Sequence, residues 1–330
     1  MAHLDRQWRQ LEPGPGAHQP GDFDFTVCTF NVLAEGLEPR GCAVTFEQRK
    51  QGLLDEIARS QADIVCLQEV DHFDDFFSPE LSASGYEGYF VPKTKGPPKE
   101  SVLGVTEGQA IFVRSDRLRV QKATCWTSID LKQKKWQRKI TPAWRKQTRT
   151  RSSVELEEVF GTEKALQEVP QVVLGLFLCP RGMDEMPFLV TNMHLKSRVS
   201  DEQLGRAGMS HAEFKHFQLE YFLQAACQAA EELGTGFPVL CCGDMNLNLL
   251  GDREAAALVA RNGFADSWAT LVGDGDRPPV DFILKRDPTD ARLVPKAALE
   301  SPTIESRQPL PNLLYPSDHL LRAVKLCLRA

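Results

Sequence analysis

Six short apolar runs in this chain each end on a carboxylate, an amide or an imidazole. They close on Thr29-Phe30-Asn31, Gln68-Glu69, Asn192-Met193-His194, Gly243-Asp244-Met245-Asn246, Val280-Asp281-Phe282 and Ser317-Asp318-His319. Short apolar runs bounded by turn-forming residues read as buried strands. The polar groups therefore sit at strand ends that are far apart in sequence. Only a fold that gathers those ends can use them together.

Helical signals fill the intervals. Thr45 with Gln48 forms a capping-box pattern before the apolar face Phe46, Leu53, Leu54 and Ile57. Ser210 with Glu213 forms another before the stripe Leu219, Phe222, Leu223, Ala226, Ala230 and Leu233, which Gly234 and Gly236 stop. Strands are expected over residues 25–29, 64–67, 110–113, 172–178, 188–191, 238–242, 282–284 and 320–326. With no internal repeat, this alternation describes one α/β domain over 23–330. Residues 1–22 read as a flexible lead-in, and about 131–170 as a basic insertion.

At 330 residues, with 42% hydrophobic and 25% charged content, the chain can bury a large core. Its longest apolar run, residues 172–179, is too short to cross a bilayer, so no membrane partner is expected. The first twenty residues lack the apolar stretch of a secretory signal. Nine scattered cysteines with no C-x-x-C pair read as buried free thiols in a reducing cytosol or nucleus, and adjacent Cys241 and Cys242 should face opposite ways.

The net charge of −6 conceals a block from Leu131 to Arg151 that holds nine basic residues and no acidic one. Trp126, Trp136 and Trp144 lie in or beside it. Lys and Arg contact phosphates while aromatic faces stack bases, so the block suits single-stranded nucleic acid. A solvated face or a nuclear-import run over residues 132–139 has the same composition.

The strand-end inventory suits hydrolysis of a phosphate ester with a hard metal ion. Mg²⁺ prefers oxygen ligands and keeps several waters, so one or two carboxylates and an amide suffice. Glu69 is the best ligand candidate, because a carboxylate after a buried strand is costly without a task. Asn31 offers an amide oxygen beside it, or simply ends a strand in a turn. In Gly243-Asp244-Met245-Asn246, a common turn sequence, Asp244 can align a water and Asn246 can donate to a phosphoryl oxygen. His194 and His319 are the two histidines at strand ends; His3, His18, His72, His211 and His216 read as solvated. Asp281 is the natural partner of His319, fixing its tautomer and favouring imidazolium, and Asp318 falls near the metal. Lys196 and Arg198 follow His194 at alternate positions, as if aimed at one anion or lining a solvated basic loop.

In this order, T-F-N, L-Q-E-V-D, H-L-K, C-G-D-x-N, V-D-F-I and Y-P-S-D-H-L resemble the endonuclease/exonuclease/phosphatase superfamily, nearest its deadenylase-like branch that includes Nocturnin and Angel. The resemblance runs from about Phe25 to the C-terminus. It implies a four-layered α/β/β/α sandwich of two packed mixed sheets flanked by helices, and dependence on Mg²⁺, with Mn²⁺ as a substitute. It further implies that Asn31 and Glu69 are metal-site residues, that Asp244 orients the attacking water and that Asn246 stabilises the transition state. His194 would touch phosphate, Asp281 and His319 would form the catalytic pair, and Lys93, Lys196 and Arg198 would hold substrate phosphates. The stretch from Gly273 to Pro279 is shorter than the branch usually carries, and the basic block is extra.

Three functions follow. The first is a 3′–5′ RNA exonuclease of deadenylase type, with RNA, notably poly(A), as partner. The second is a phosphatase that removes the 2′-phosphate of NADP(H), a phosphorylated dinucleotide. The third is a non-catalytic RNA-binding module, opposed by competent residues at every principal position.

Overall fold

The structure, a computed structural model, describes residues 6–10, 19–35, 37–38, 42, 44–93, 107–127, 171–234, 236–268, 279–287, 292–302, 304 and 309–329. The basic block, and Gly273 to Pro278 before Asp281, lie outside them. In chain order the elements are β1 (Trp8–Gln10), β2 (Phe23–Asn31), α1 (Phe46–Ser60), β3 (Ile64–Val70), a π-helical turn (Phe73–Phe77), α2 (Ser78–Ala83), β4 (Tyr86–Pro92) and β5 (Gly108–Arg114). There follow β6 (Leu118–Thr127), β7 (Val172–Pro180), β8 (Phe188–His194), α3 (Asp201–Ala207), α4 (His211–Leu233), β9 (Val239–Asp244) and α5 (Arg253–Arg261). The chain closes with β10 (Phe264–Asp266), β11 (Asp281–Arg286), β12 (Leu293–Leu299) and β13 (Arg322–Leu328).

One sheet has the order β1-β12-β13-β2-β3-β5-β4 and the other β10-β11-β9-β8-β7-β6. Each is mixed, with one parallel pair at its centre: β2 with β3, and β8 with β9. A parallel pair needs a crossover; α1 supplies the first, α3 and α4 the second. All four of these strands therefore finish at the same end of the sandwich.

The strands are apolar on both faces because both faces are covered. Val27, Ile64, Cys66, Ile111, Val190, Leu240 and Cys242 fill the space between the sheets. Phe30, Val65, Leu67 and Phe112 pack under Leu53 and Ile57 of α1. Phe177, Leu189, Met193 and Cys241 pack under Leu219, Phe222 and Leu223 of α4. This is the expected four-layered sandwich, with Cys241 and Cys242 on opposite faces.

Both expected capping boxes form: Thr45 N–H donates to Gln48 Oε1 at 2.9 Å, and Ser210 N–H to Glu213 Oε2 at 2.7 Å. At Gly243 (φ +141°), a Cβ would stand 1.8 Å from the Met193 carbonyl oxygen. Glycine alone lets β9 come this close to β8 and set Asp244 level with His194.

Several expectations need correction. Part of the lead-in is fastened down: Trp8–Gln10 pairs with β12. The buried Arg6 donates to Glu56 Oε2 at 2.9 Å, to the Leu321 carbonyl at 2.6 Å and to the Glu300 carbonyl at 2.7 Å. His72 is buried rather than solvated, because its ring stacks on Phe46 at 3.8 Å and its nitrogens meet Asp75 and Glu35. The last strand begins at Arg322, since Ser317-Asp318-His319 turns toward the sheet end before pairing starts. No helix among the described residues is long and apolar enough to cross a membrane.

Candidate active site

The site is built where the four central strands end. Asn31 closes β2, and its backbone carbonyl accepts from Ser317 Oγ at 2.7 Å, which ties Ser317-Asp318-His319 to this corner. Its side-chain Nδ2 donates to Glu69 Oε1 at 3.0 Å and to Asp244 Oδ2 at 3.1 Å, so one amide joins carboxylates from both sheets. The Oδ1 expected to face a metal accepts instead from Leu33 N–H at 3.0 Å.

Glu69 stands in the left-handed region (φ +57°), where the β3–β5 register shifts between Leu67 and Val70. This is an unfavourable backbone for a residue other than glycine, and such strain gathers at functional sites. The shift turns the carboxylate inward, where Ala34 N–H donates to Oε2 at 3.3 Å.

Asp244 Oδ2 is the hub. Besides Asn31, His194 Nε2 lies 3.5 Å away and His319 Nε2 3.6 Å away. The other oxygen, Oδ1, accepts from the backbone N–H of Asn246 at 2.8 Å. Asn246 is also left-handed (φ +49°), a conformation asparagine tolerates better than most residues. Its Nδ2 donates to the Leu195 carbonyl at 2.8 Å, and Lys215 Nζ to its own carbonyl at 2.8 Å.

His319 Nδ1 lies 2.9 Å from Asp281 Oδ2, the expected pairing. Burial opposes a charge on the ring, but Asp281 and Asp244 outweigh it, so the pKa of His319 lies well above the usual histidine value. His194 behaves oppositely: burial, Lys93, His319 and Lys196 all hold its pKa down. Burial pushes Asp244 up to about 7, with Asp281 adding repulsion while His319 pulls the other way. Burial likewise raises Asp318, which also feels Glu69 and Asp281.

Ligand atoms of Asp244, Asp281 and His319 all lie within 4.8 Å of one another, close enough to hold an ion. Glu69 and Asp318 add two further carboxylates beside them. Burial makes Asp244 and Asp318 resist ionisation, which a hard divalent cation would relieve, and oxygens dominate the donor set. The residues present thus suit Mg²⁺ or a similar ion.

The expected phosphate-holding group divides. Lys93 reaches the interior, with Nζ 2.7 Å from Glu107 Oε1 and 3.2 Å from His194 Nδ1. Lys196 stands exposed at the rim, within electrostatic reach of Lys93, Glu107 and Glu69. Arg198 is exposed, and no described residue engages its guanidinium.

Glu107, Lys215 and Arg49 went unnoticed in the sequence, and Ser317 stood in a noted motif with no role of its own. The guanidinium of fully buried Arg49 clasps the carbonyls of Val32, Leu33 and Pro316, bracing the two loops that flank Asn31 and Asp318. Glu107 had one signal, a carboxylate against a strand at Gly108, but at the strand's start.

Carboxylates, an imidazole–carboxylate pair and amides converging at the ends of two packed sheets define a metal-assisted hydrolase site. The chain belongs to the endonuclease/exonuclease/phosphatase family, whose sequence pattern matches residues 28–319. Nocturnin of Xenopus laevis is 28% identical over 97% of this chain and 76% of its own length. Carbon catabolite repressor protein 4 homolog 1 of Arabidopsis thaliana is 39% identical over 35% of this chain, which spans only 19% of that protein. The human Nocturnin catalytic domain with bound sulfate superposes with a TM-score of 0.66 at 23% identity, covering 97% of both chains. ANGEL2, a 2′,3′-cyclic phosphatase solved with adenosine-2′,3′-vanadate, gives 0.65 at 18% identity, covering 99% of both. These two structures share the fold.

Proposed function

We propose that this chain is a Mg²⁺-dependent nucleotide phosphoesterase acting as a 3′–5′ RNA exonuclease, with poly(A) among its substrates. The hub at Asp244 Oδ2 carries the hydrolytic reading, because one acceptor oxygen is met there by Asn31, His194 and His319 from three directions. Asp244 is placed to orient a water and accept its proton, while the Asn246 N–H anchors its second oxygen. His319, charged and braced by Asp281, donates toward developing phosphoryl charge. The His319–Asp281 bond occupies groups an ion would need, so we assign the metal to the side of Glu69 and Asp318. Asn31 there links Glu69 to Asp244. Mg²⁺, or Mn²⁺ in its place, would neutralise phosphoryl oxygens and acidify a bound water.

The tryptophan-bearing basic block supports RNA as substrate. Similarity to Nocturnin along nearly the whole chain favours a second reading, removal of the NADP(H) 2′-phosphate, with Lys196 at the rim as a phosphate contact. The test offers 5′-labelled poly(A) RNA, RNA ending in a 2′,3′-cyclic phosphate, and NADPH in parallel with Mg²⁺, with Glu69→Ala as control. Shortening of poly(A) is expected. Phosphate release from NADPH alone, or opening of the cyclic end alone, would replace the exonuclease reading.

A further inference from the structure

Lys93 and Glu107 extend the β4–β5 ladder by one step: Pro92 pairs with Gly108, and Lys93 N–H then donates to the Glu107 carbonyl at 2.8 Å. Their side chains meet across this pair, Nζ to Oε1 at 2.7 Å, with 14% and 12% exposed. The ammonium next reaches across the mouth of the sandwich to Nδ1 of His194, at 3.2 Å on the opposite sheet. A lysine ammonium carries three donors and no acceptor. Nδ1 must therefore present its lone pair, which leaves the ring proton on Nε2. That nitrogen faces Asp244 Oδ2 at 3.5 Å and Glu69 Oε1 at 3.8 Å, the gap between the water-orienting and metal-side carboxylates.

We propose that Glu107 and Lys93 are positioning residues that hold His194 in the Nε2–H tautomer, so that it aims a hydrogen-bond donor into the reaction site. The inference rests on the phosphoesterase reading for the destination of that donor, a phosphoryl oxygen, but the tautomer follows from the geometry alone. Lys93 then serves chiefly as an orienting group. Two of its N–H bonds are committed to Glu107 and His194, and only the third remains for substrate. Glu107 holds the ammonium in place and balances its charge in a buried setting, as a carboxylate holds a histidine in other catalytic arrangements.

The test is ¹⁵N NMR of imidazole-labelled protein, with the His194 signals assigned by their loss in His194→Asn. Nε2 is expected to be protonated and Nδ1 bare in the wild type, with or without Mg²⁺. Lys93→Met and Glu107→Gln should each populate the Nδ1–H form, while Lys93→Arg, which can also only donate, keeps the wild-type pattern. A wild-type spectrum with the proton on Nδ1, or on both nitrogens, overturns the proposal, as does a pattern unchanged in Lys93→Met. For a substrate the wild type hydrolyses, Glu107→Gln should lower kcat by about 10- to 100-fold with KM little changed. Absence of hydrolysis in the wild type would count against the functional reading, whereas the tautomer assignment stands or falls on the NMR spectra.

Discussion

Replacing Glu69 by glycine should yield a protein that is inactive yet more stable than the alanine variant, reversing the usual order of these residues. Glu69 adopts φ +57°. For a residue with a Cβ, the left-handed region costs roughly 1–2 kcal/mol. Glycine escapes that cost but brings a more flexible unfolded chain, worth about 0.4–1 kcal/mol against it. Both variants lose the same hydrogen bonds, from Asn31 Nδ2 and Ala34 N–H, so these cancel in the comparison. The net expectation is a glycine variant more stable than the alanine variant by about 0.5–1 kcal/mol. Urea unfolding of metal-free protein measures this difference. With Mg²⁺ at a hundredfold excess over its Kd, the wild type should gain about 2.7 kcal/mol and neither variant should gain. An alanine variant as stable as the glycine one would refute the strained backbone. Full Mg²⁺ stabilisation in either would refute Glu69 as a ligand.

Gly243→Ala should destabilise the fold by about 3 kcal/mol or more, because its Cβ would collide with the Met193 carbonyl oxygen; calorimetry of the purified variant checks this. Arg6→Ala should cost about 3 kcal/mol by leaving Glu56 buried with half its pairing, and a midpoint unchanged from wild type would return residues 6–10 to the status of a loose lead-in. Burial raises the Asp63 carboxyl above its ordinary value despite its bond from Thr26 N–H. The folded state then holds a proton that the unfolded state releases first. Stability from this group is complete below the unfolded pKa and declines as pH climbs through the higher folded one. Asp63→Asn should flatten that part of the stability–pH curve, and an unaltered slope would show the carboxyl to be unperturbed.

The strand ends were legible because each apolar run is short, buried on both faces and closed by a polar group that has no packing role. His319 and Asp281 could be matched in advance, since a histidine among such motifs calls for a carboxylate, although Asp281 opens β11 and His319 precedes β13 rather than each closing a strand. The contacts of Lys93 were not visible: its partners Glu107 and His194 lie in a polar stretch and on the opposite sheet, and only the three-dimensional crossing joins them. His72 looked solvated because nothing local announces that Phe46 will stack on it. β1, β4, β6 and β10, the edges of the two sheets, escaped notice for a related reason, as did β12 beside β1. Edge strands carry a weak alternation, and Trp8–Gln10 is held by pairing and by Arg6 more than by its own apolar surface.

The central claim is that the cluster around Asp244 performs metal-assisted hydrolysis. Its most direct test is the initial rate of Mg²⁺-dependent phosphate-ester cleavage by wild type and His319→Ala, on poly(A) RNA and on NADPH, alongside the thermal midpoint of each protein. Wild-type turnover of at least one substrate, a kcat lower by about 10²- to 10⁴-fold in the variant and unchanged folding would bear the claim out. Equal rates in the two proteins, or no turnover by the wild type, would contradict it.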